Sequence, residues 1–172
     1  MKAPAFDLPG VDGKRHTLAS ARGPKGLVVM FICNHCPYVK AVIDRIVRDC
    51  GELAAHGIGS IAISANDPAD YPEDSFDNMK RVAAAKKFPF PYAFDEGQDV
   101  ARAYDAQCTP EFFGFDGSLE LKYHGRLDES KREAAPNARR ELYEAMLQVA
   151  RTGEGPKEQH NAIGCSIKWK KG

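Results

Sequence analysis

Six apolar residues in a row, Leu27-Val28-Val29-Met30-Phe31-Ile32, stand out from a mixed sequence. A run of that length, rich in strand formers, predicts a strand covered on both faces, as in the middle of a parallel or mixed sheet. The period then changes. Val39, Val42, Ile43, Ile46, Val47 and Cys50 fall at i, i+3, i+4, i+7, i+8 and i+11, one face of a helix. Lys40, Asp44, Arg45, Arg48 and Asp49 occupy the other face. Pro37 suits the helix start, where a missing N–H costs nothing. After Gly57-Ile58-Gly59, the stretch Ser60-Ile61-Ala62-Ile63-Ser64 predicts a second inner strand, completing a β-α-β unit.

Upstream, Asp12-Gly13 between Phe6–Pro9 and Arg15–Leu18 predicts an N-terminal β-hairpin. Downstream, residues 66–75 read as a loop with Pro68 and Pro72, and Phe76, Met79, Val82 and Ala83 predict a helix to about Lys87. Phe88-Pro89-Phe90-Pro91 breaks it, with Phe88, Phe90, Tyr92 and Phe94 read as packing side chains. A short helix around Val100–Tyr104 follows, then a hairpin of Phe112–Phe115 and Leu119–Tyr123 about Asp116-Gly117. Pro136-Asn137 is expected to open a last amphipathic helix carrying Leu142, Ala145, Met146 and Val149. Residues 1–152 thus read as one α/β domain, a central mixed sheet flanked by helices. Residues 153–172 read as a basic C-terminal tail, loosely packed, with five basic and two acidic residues over 151–172.

Composition narrows the function. Lys plus Arg and Asp plus Glu are both 24, so the net charge is zero. That balance gives no reason to expect nucleic acid, an anionic membrane or a strongly charged substrate. No segment approaches the roughly 20 apolar residues of a membrane span. Met1-Lys2-Ala3-Pro4-Ala5-Phe6-Asp7 lacks the apolar stretch of a secretory signal, so the expected location is the cytoplasm. The five cysteines are too few and too odd in number for a disulfide scaffold. In a reducing compartment a Cys-x-x-Cys pair is more often a catalytic dithiol or a metal knuckle than a staple.

The candidate chemistry therefore sits in Cys33-Asn34-His35-Cys36, between a buried strand and the first turn of a helix. A thiolate is the reactive form of cysteine, and a helix N-terminus, with its free N–H groups and partial positive charge, favours it. Cys33 is expected to be the exposed attacker and Cys36 to resolve the mixed disulfide. His35 is expected to stabilise a thiolate at Cys33. A zinc set of Cys33, His35 and Cys36 with Cys108 or a distant His is the alternative. No second Cys-x-x-Cys or His-x-x-x-His completes it, so neither metal nor cofactor is expected.

With Phe31-Ile32-Cys33-Asn34-His35-Cys36-Pro37-Tyr38-Val39-Lys40 in view, the chain resembles the thioredoxin-like, peroxiredoxin-related proteins of the AhpC/TSA (redoxin) superfamily, in the subgroup with a Cys-x-x-Cys. The resemblance continues through Ala3–Leu8, Cys108–Phe113, Gly125–Asp128 and Gly164–Trp169. It implies a thioredoxin-like fold, Cys33 and Cys36 as the active-site pair, and Thr109-Pro110 as the cis-proline loop facing them. It also marks departures. If Cys36 fills the peroxide-reducing position of a peroxiredoxin, the usual Thr becomes Cys33, the Pro becomes Val29, and the Arg falls near Pro110. The Trp and buried acid of thioredoxin become Ile32 and Leu27.

Cys50, on the apolar helix face, reads as a small buried hydrophobe. Cys108 is either a third redox partner or a passive thiol. Cys165 is either a resolving cysteine, in cis or from a second subunit, or a packed tail residue. Three functions follow. The first is a thiol–disulfide oxidoreductase acting on a protein or small-molecule thiol or disulfide. The second is a thiol-dependent peroxidase of low efficiency. The third is a non-catalytic metal- or thiol-binding module. Either a monomer or a homodimer is compatible with the sequence.

Overall fold

The computed structural model describes residues 1–171. The chain opens with the expected hairpin, β1 (Asp7–Pro9) against β2 (Arg15–Thr17), with Leu8 opposite His16 and Gly13 in the turn at φ +80°. A single turn, α1 (Leu18–Ala21), is capped by Thr17. Then come β3 (Gly26–Phe31), α2 (Pro37–Ala54), β4 (Ile58–Ser64), α3 (Phe76–Ala85), β5 (Tyr92–Phe94) and α4 (Asp99–Ala103). The chain ends with β6 (Cys108–Thr109), β7 (Glu111–Asp116), β8 (Leu121–Gly125), α5 (Glu141–Thr152) and β9 (Cys165–Ser166).

β3 pairs antiparallel with β7, and β7 with β8, while β5 runs parallel to β4. β4 lies beside β3, and the Ile32 N–H bonds the Ile63 carbonyl at 3.0 Å just past the end of β3. All six residues of β3 are buried, as its unbroken apolar run requires. Alternation along the strand divides them. Val28 and Met30 face a core with Ile46 of α2, Met79 of α3 and Leu142 and Met146 of α5. Leu27, Val29 and Phe31 face a second core with Ala21 of α1, Ala101 of α4 and Phe115. Each such side chain contributes about 1.5–3 kcal/mol by leaving water. This is the mixed sheet with helices on both faces that the sequence predicts.

Three expectations need correction. Tyr92–Phe94 is a strand as well as packing surface, because Ala62, Ile63 and Ser64 of β4 offer it a parallel edge. Its flanking prolines hide it from a pattern reading. The last helix starts at Glu141 and not at Pro136, because Asn137 turns left-handed at φ +56°. The C-terminal segment is not loosely packed over residues 164–168. Cys165 and Ser166 pair antiparallel with Thr109 and Cys108. Ile167 is buried, and the Lys168 carbonyl accepts from the Asp67 N–H at 2.8 Å. One apolar plug and a set of backbone hydrogen bonds outweigh the polar composition.

Candidate active site

The chain leaves the sheet at Ile32 and turns through Cys33, Asn34 and His35. Cys36 becomes the N-cap of α2, with Pro37 following in the first turn. Neither sulfur is open to solvent: Cys33 is 2% and Cys36 0% exposed. The expected exposed attacker is therefore covered, because the loop holding Thr109 lies across the dithiol. The Thr109–Pro110 bond is cis. Thr109 meets both sulfurs, with its hydroxyl 3.5 Å from Cys33 Sγ and its carbonyl accepting from Cys36 Sγ at 3.4 Å.

On the opposite side lies Asp74, fully buried, at the end of the 3-10 turn Pro72–Asp74. One carboxylate oxygen accepts from the Asn34 N–H at 2.8 Å and the His35 N–H at 3.1 Å. The other accepts from Asn66 Nδ2 at 2.9 Å and pairs with His35 Nδ1. Asn34 is itself fixed, receiving the Tyr92 hydroxyl at 2.9 Å and donating to the Glu73 carbonyl at 2.9 Å. His35 stacks on Tyr71 with ring centres 4.7 Å apart. The ring expected to serve Cys33 is thus engaged by Asp74.

These surroundings divide the ionisation of the pair. Cys36 is held well below the ordinary thiol value, chiefly by the hydrogen bond from Cys33 and then by Cys165, Thr109 and the Val39 N–H, against the cost of burial. Cys33 is pushed up by sharing its hydrogen with Cys36, by burial and by the Asp74 charge. The two sulfurs are thus shifted in opposite directions, Cys36 down and Cys33 up.

A sulfur of Cys33, a ring nitrogen of His35 and an oxygen of Asp74 lie within 4.8 Å of one another. Asp74, however, already accepts four hydrogen bonds, which occupy the capacity of a carboxylate. A cation there would have to displace the contacts that shape the loop, so the geometry fits positioning better than ligation.

Cys108 sits next to Thr109 but is turned to Glu111, with Sγ 4.0 Å from Oε1. Burial and that carboxylate push its thiol up to about 12. Cys50 is buried on α2, and burial pushes it up to about 12. Cys165, opposite Thr109, packs against the buried cluster containing Cys33 and Cys36. A cavity of about 320 Å³ adjoins the site, with Cys33 in its wall beside Ile32, Val39, Ile43 and Phe88 and with Lys40 and Lys86 at its edge.

Asp74 and Tyr92 escaped the sequence reading. Asp74 lies in a Pro- and Asp-containing loop with no periodicity, and only tertiary folding brings it to the dithiol.

The comparisons with known proteins bear on the fold and the family. A structure of an uncharacterized conserved protein from Geobacillus kaustophilus is 44% identical and superposes with a TM-score of 0.93, covering 99% of this chain and 91% of that one. A thioredoxin-family thiol:disulfide interchange protein from Chlorobium tepidum TLS shares the fold at 21% identity and a TM-score of 0.63, over 77% of this chain and 88% of its own. A Mycobacterium tuberculosis protein provisionally described as a peroxiredoxin is 25% identical over 113 residues, 66% of this chain and 67% of its length. The AhpC/TSA family description matches residues 1–124. With its thioredoxin-like fold, the chain belongs to the AhpC/TSA family.

Proposed function

We propose that the protein is a thiol–disulfide oxidoreductase whose working pair is Cys33 and Cys36. The observation that carries this reading is placement: Cys33 and Cys36 stand at the N-terminus of α2, and Thr109 of the facing loop contacts both sulfurs. Cys33 forms part of the cavity wall and Cys36 does not, so the substrate disulfide meets Cys33 first. Cys33 attacks one sulfur of that disulfide and its proton passes to Cys36. The substrate S–S bond breaks and one substrate sulfur leaves as a thiolate. Cys36 then attacks Cys33 in the mixed disulfide, its proton passing to a departing substrate sulfur, which releases the second substrate sulfur and closes Cys33–Cys36. The substrate gains two electrons and the pair loses them.

Thr109 covers both sulfurs on the side away from Asp74, and Asp74 and His35 fix the loop. The apolar cavity favours a disulfide with an aliphatic or aromatic neighbour. Peroxide is the weaker substrate, because Cys33 stands where a peroxiredoxin places its polarising Thr.

Turnover of a small aromatic disulfide and of hydrogen peroxide, each with dithiothreitol as reductant, tests this reading. Disulfide turnover is expected to exceed peroxide turnover and to fall to background in both Cys33→Ser and Cys36→Ser. Peroxide turnover that survives loss of Cys33 but not of Cys36 would assign the protein to peroxide reduction. Undiminished disulfide turnover in both variants would rule out the dithiol.

A further inference from the structure

We propose that Cys165 is a third redox thiol, which takes over the Cys33–Cys36 disulfide by attacking Cys36 and carries the oxidised state to a more accessible sulfur. This rests on the dithiol reading above. The first observation is register. In the β6–β9 pair Cys165 stands opposite Thr109, and Ser166 opposite Cys108. Directly opposed residues share a face and neighbours alternate. Cys165 therefore shares the face of Thr109, the residue that touches both sulfurs of the dithiol. Cys108 belongs to the other face and is turned to Glu111.

The second observation is close approach. A Cβ added at Gly164 would lie 1.9 Å from the Thr109 carbonyl, so only glycine lets the segment press onto the loop that covers the dithiol. Ile167, buried beyond it, pins the segment from the other side. The third is access. Cys33 and Cys36 are covered, whereas Cys165 is half-buried. A disulfide confined to the first two is reached only through the cavity beside Cys33, and one that includes Cys165 is more open to an external reductant.

The step balances internally. The Cys165 thiolate attacks Cys36 Sγ and forms the Cys36–Cys165 bond. The Cys33–Cys36 bond breaks, and its electron pair stays on Cys33, which takes up the proton that Cys165 has lost. One disulfide and one thiol enter, and one of each leaves. Charge affects when the attacking thiolate can form. In the reduced protein burial, followed by the hydrogen bond and charge of Cys36, pushes the Cys165 thiol up to about 11, while Lys168 acts the other way. A Cys36 held in a disulfide carries no charge, so both of its contributions disappear and only burial still opposes ionisation. Cys165 becomes easier to ionise at the moment when there is a disulfide to attack.

Time-resolved disulfide mapping of the monomer after one equivalent of diamide tests this. In the wild type, Cys33–Cys36 is expected first and Cys36–Cys165 next. Cys33→Ser should form Cys36–Cys165 directly. Cys165→Ser should stop at Cys33–Cys36, and reduction of that form by an external dithiol should slow several-fold. A Cys33–Cys36 link that never passes to Cys165, with no Cys36–Cys165 link in Cys33→Ser, overturns the handover and leaves the dithiol reading intact. Absence of any Cys33–Cys36 link at all times overturns the dithiol reading and the handover with it.

Discussion

The dithiol has two unlike sides. On one, Asp74, Asn34, Asn66, His35 and Tyr92 form a closed polar network in which the carboxylate accepts from both loop amides. On the other, Thr109 and Cys165 present only weak sulfur and hydroxyl contacts, on two-residue strands. The first side fixes the shape of the Cys33–Cys36 turn and places a negative charge against Cys33. The second meets the sulfurs through Thr109, its hydroxyl at Cys33 and its carbonyl at Cys36. The contrast is one of bond strength: the strong bonds go to the backbone of the turn, and the weak ones to the sulfurs.

Breaking the strong side should cost most. Asp74→Ala leaves two buried amides and Asn66 without their acceptor, and about 3 kcal/mol of stability should be lost in urea unfolding. Gly164→Ala attacks the weak side. The new Cβ meets the Thr109 carbonyl, so the segment must shift, at about 1–3 kcal/mol. Alkylation of Cys165 should accelerate in that variant, whereas Asp74→Ala should not affect it through this route.

Asp74→Asn keeps an acceptor for the two loop amides and removes the charge, at the cost of the Asn66 Nδ2 hydrogen bond. Cys33 should ionise more readily, and the pH profile of its reaction with iodoacetamide should move down by roughly one unit, about 1.4 kcal/mol. The Cys36 thiolate also links stability to pH. Its folded pKa lies below the ordinary value of 9.0. The unfolded chain therefore holds the extra proton between the two values, and stability from this group is complete above 9.0 and lost as pH falls through the folded value. Urea unfolding from acid to neutral pH should show that rise in the wild type and a shallower one in Cys36→Ser. Thr109→Val should have the smallest effect, about 0.5–1 kcal/mol, from loss of one hydroxyl contact to Cys33.

The sequence made the frame legible because the strongest pattern, Leu27–Ile32 followed by the α2 stripe, is also where burial is most complete. The same junction disclosed Cys33 and Cys36, since strand end and helix start are both readable. What stayed hidden depends on non-local contact. Asp74 has no local signature, because its partners are Asn34, His35 and Asn66. Cys165 sits in a stretch whose basic composition suggests a solvated tail, and its placement depends on Gly164 and Ile167 docking far away. His35 was visible as a residue near the dithiol, but its engagement by Asp74 could not be read without that acid.

The most direct test of the account is a redox titration of the purified protein in glutathione buffers, counting free thiols by mass after alkylation. The account predicts a reversible two-electron transition in which Cys33 and Cys36 lose their alkylation sites together in the first oxidised species, and which neither Cys33→Ser nor Cys36→Ser can make as an internal Cys33–Cys36 bond. Cys33 and Cys36 remaining alkylated under oxidising buffer, or a transition unchanged in both variants, would contradict it.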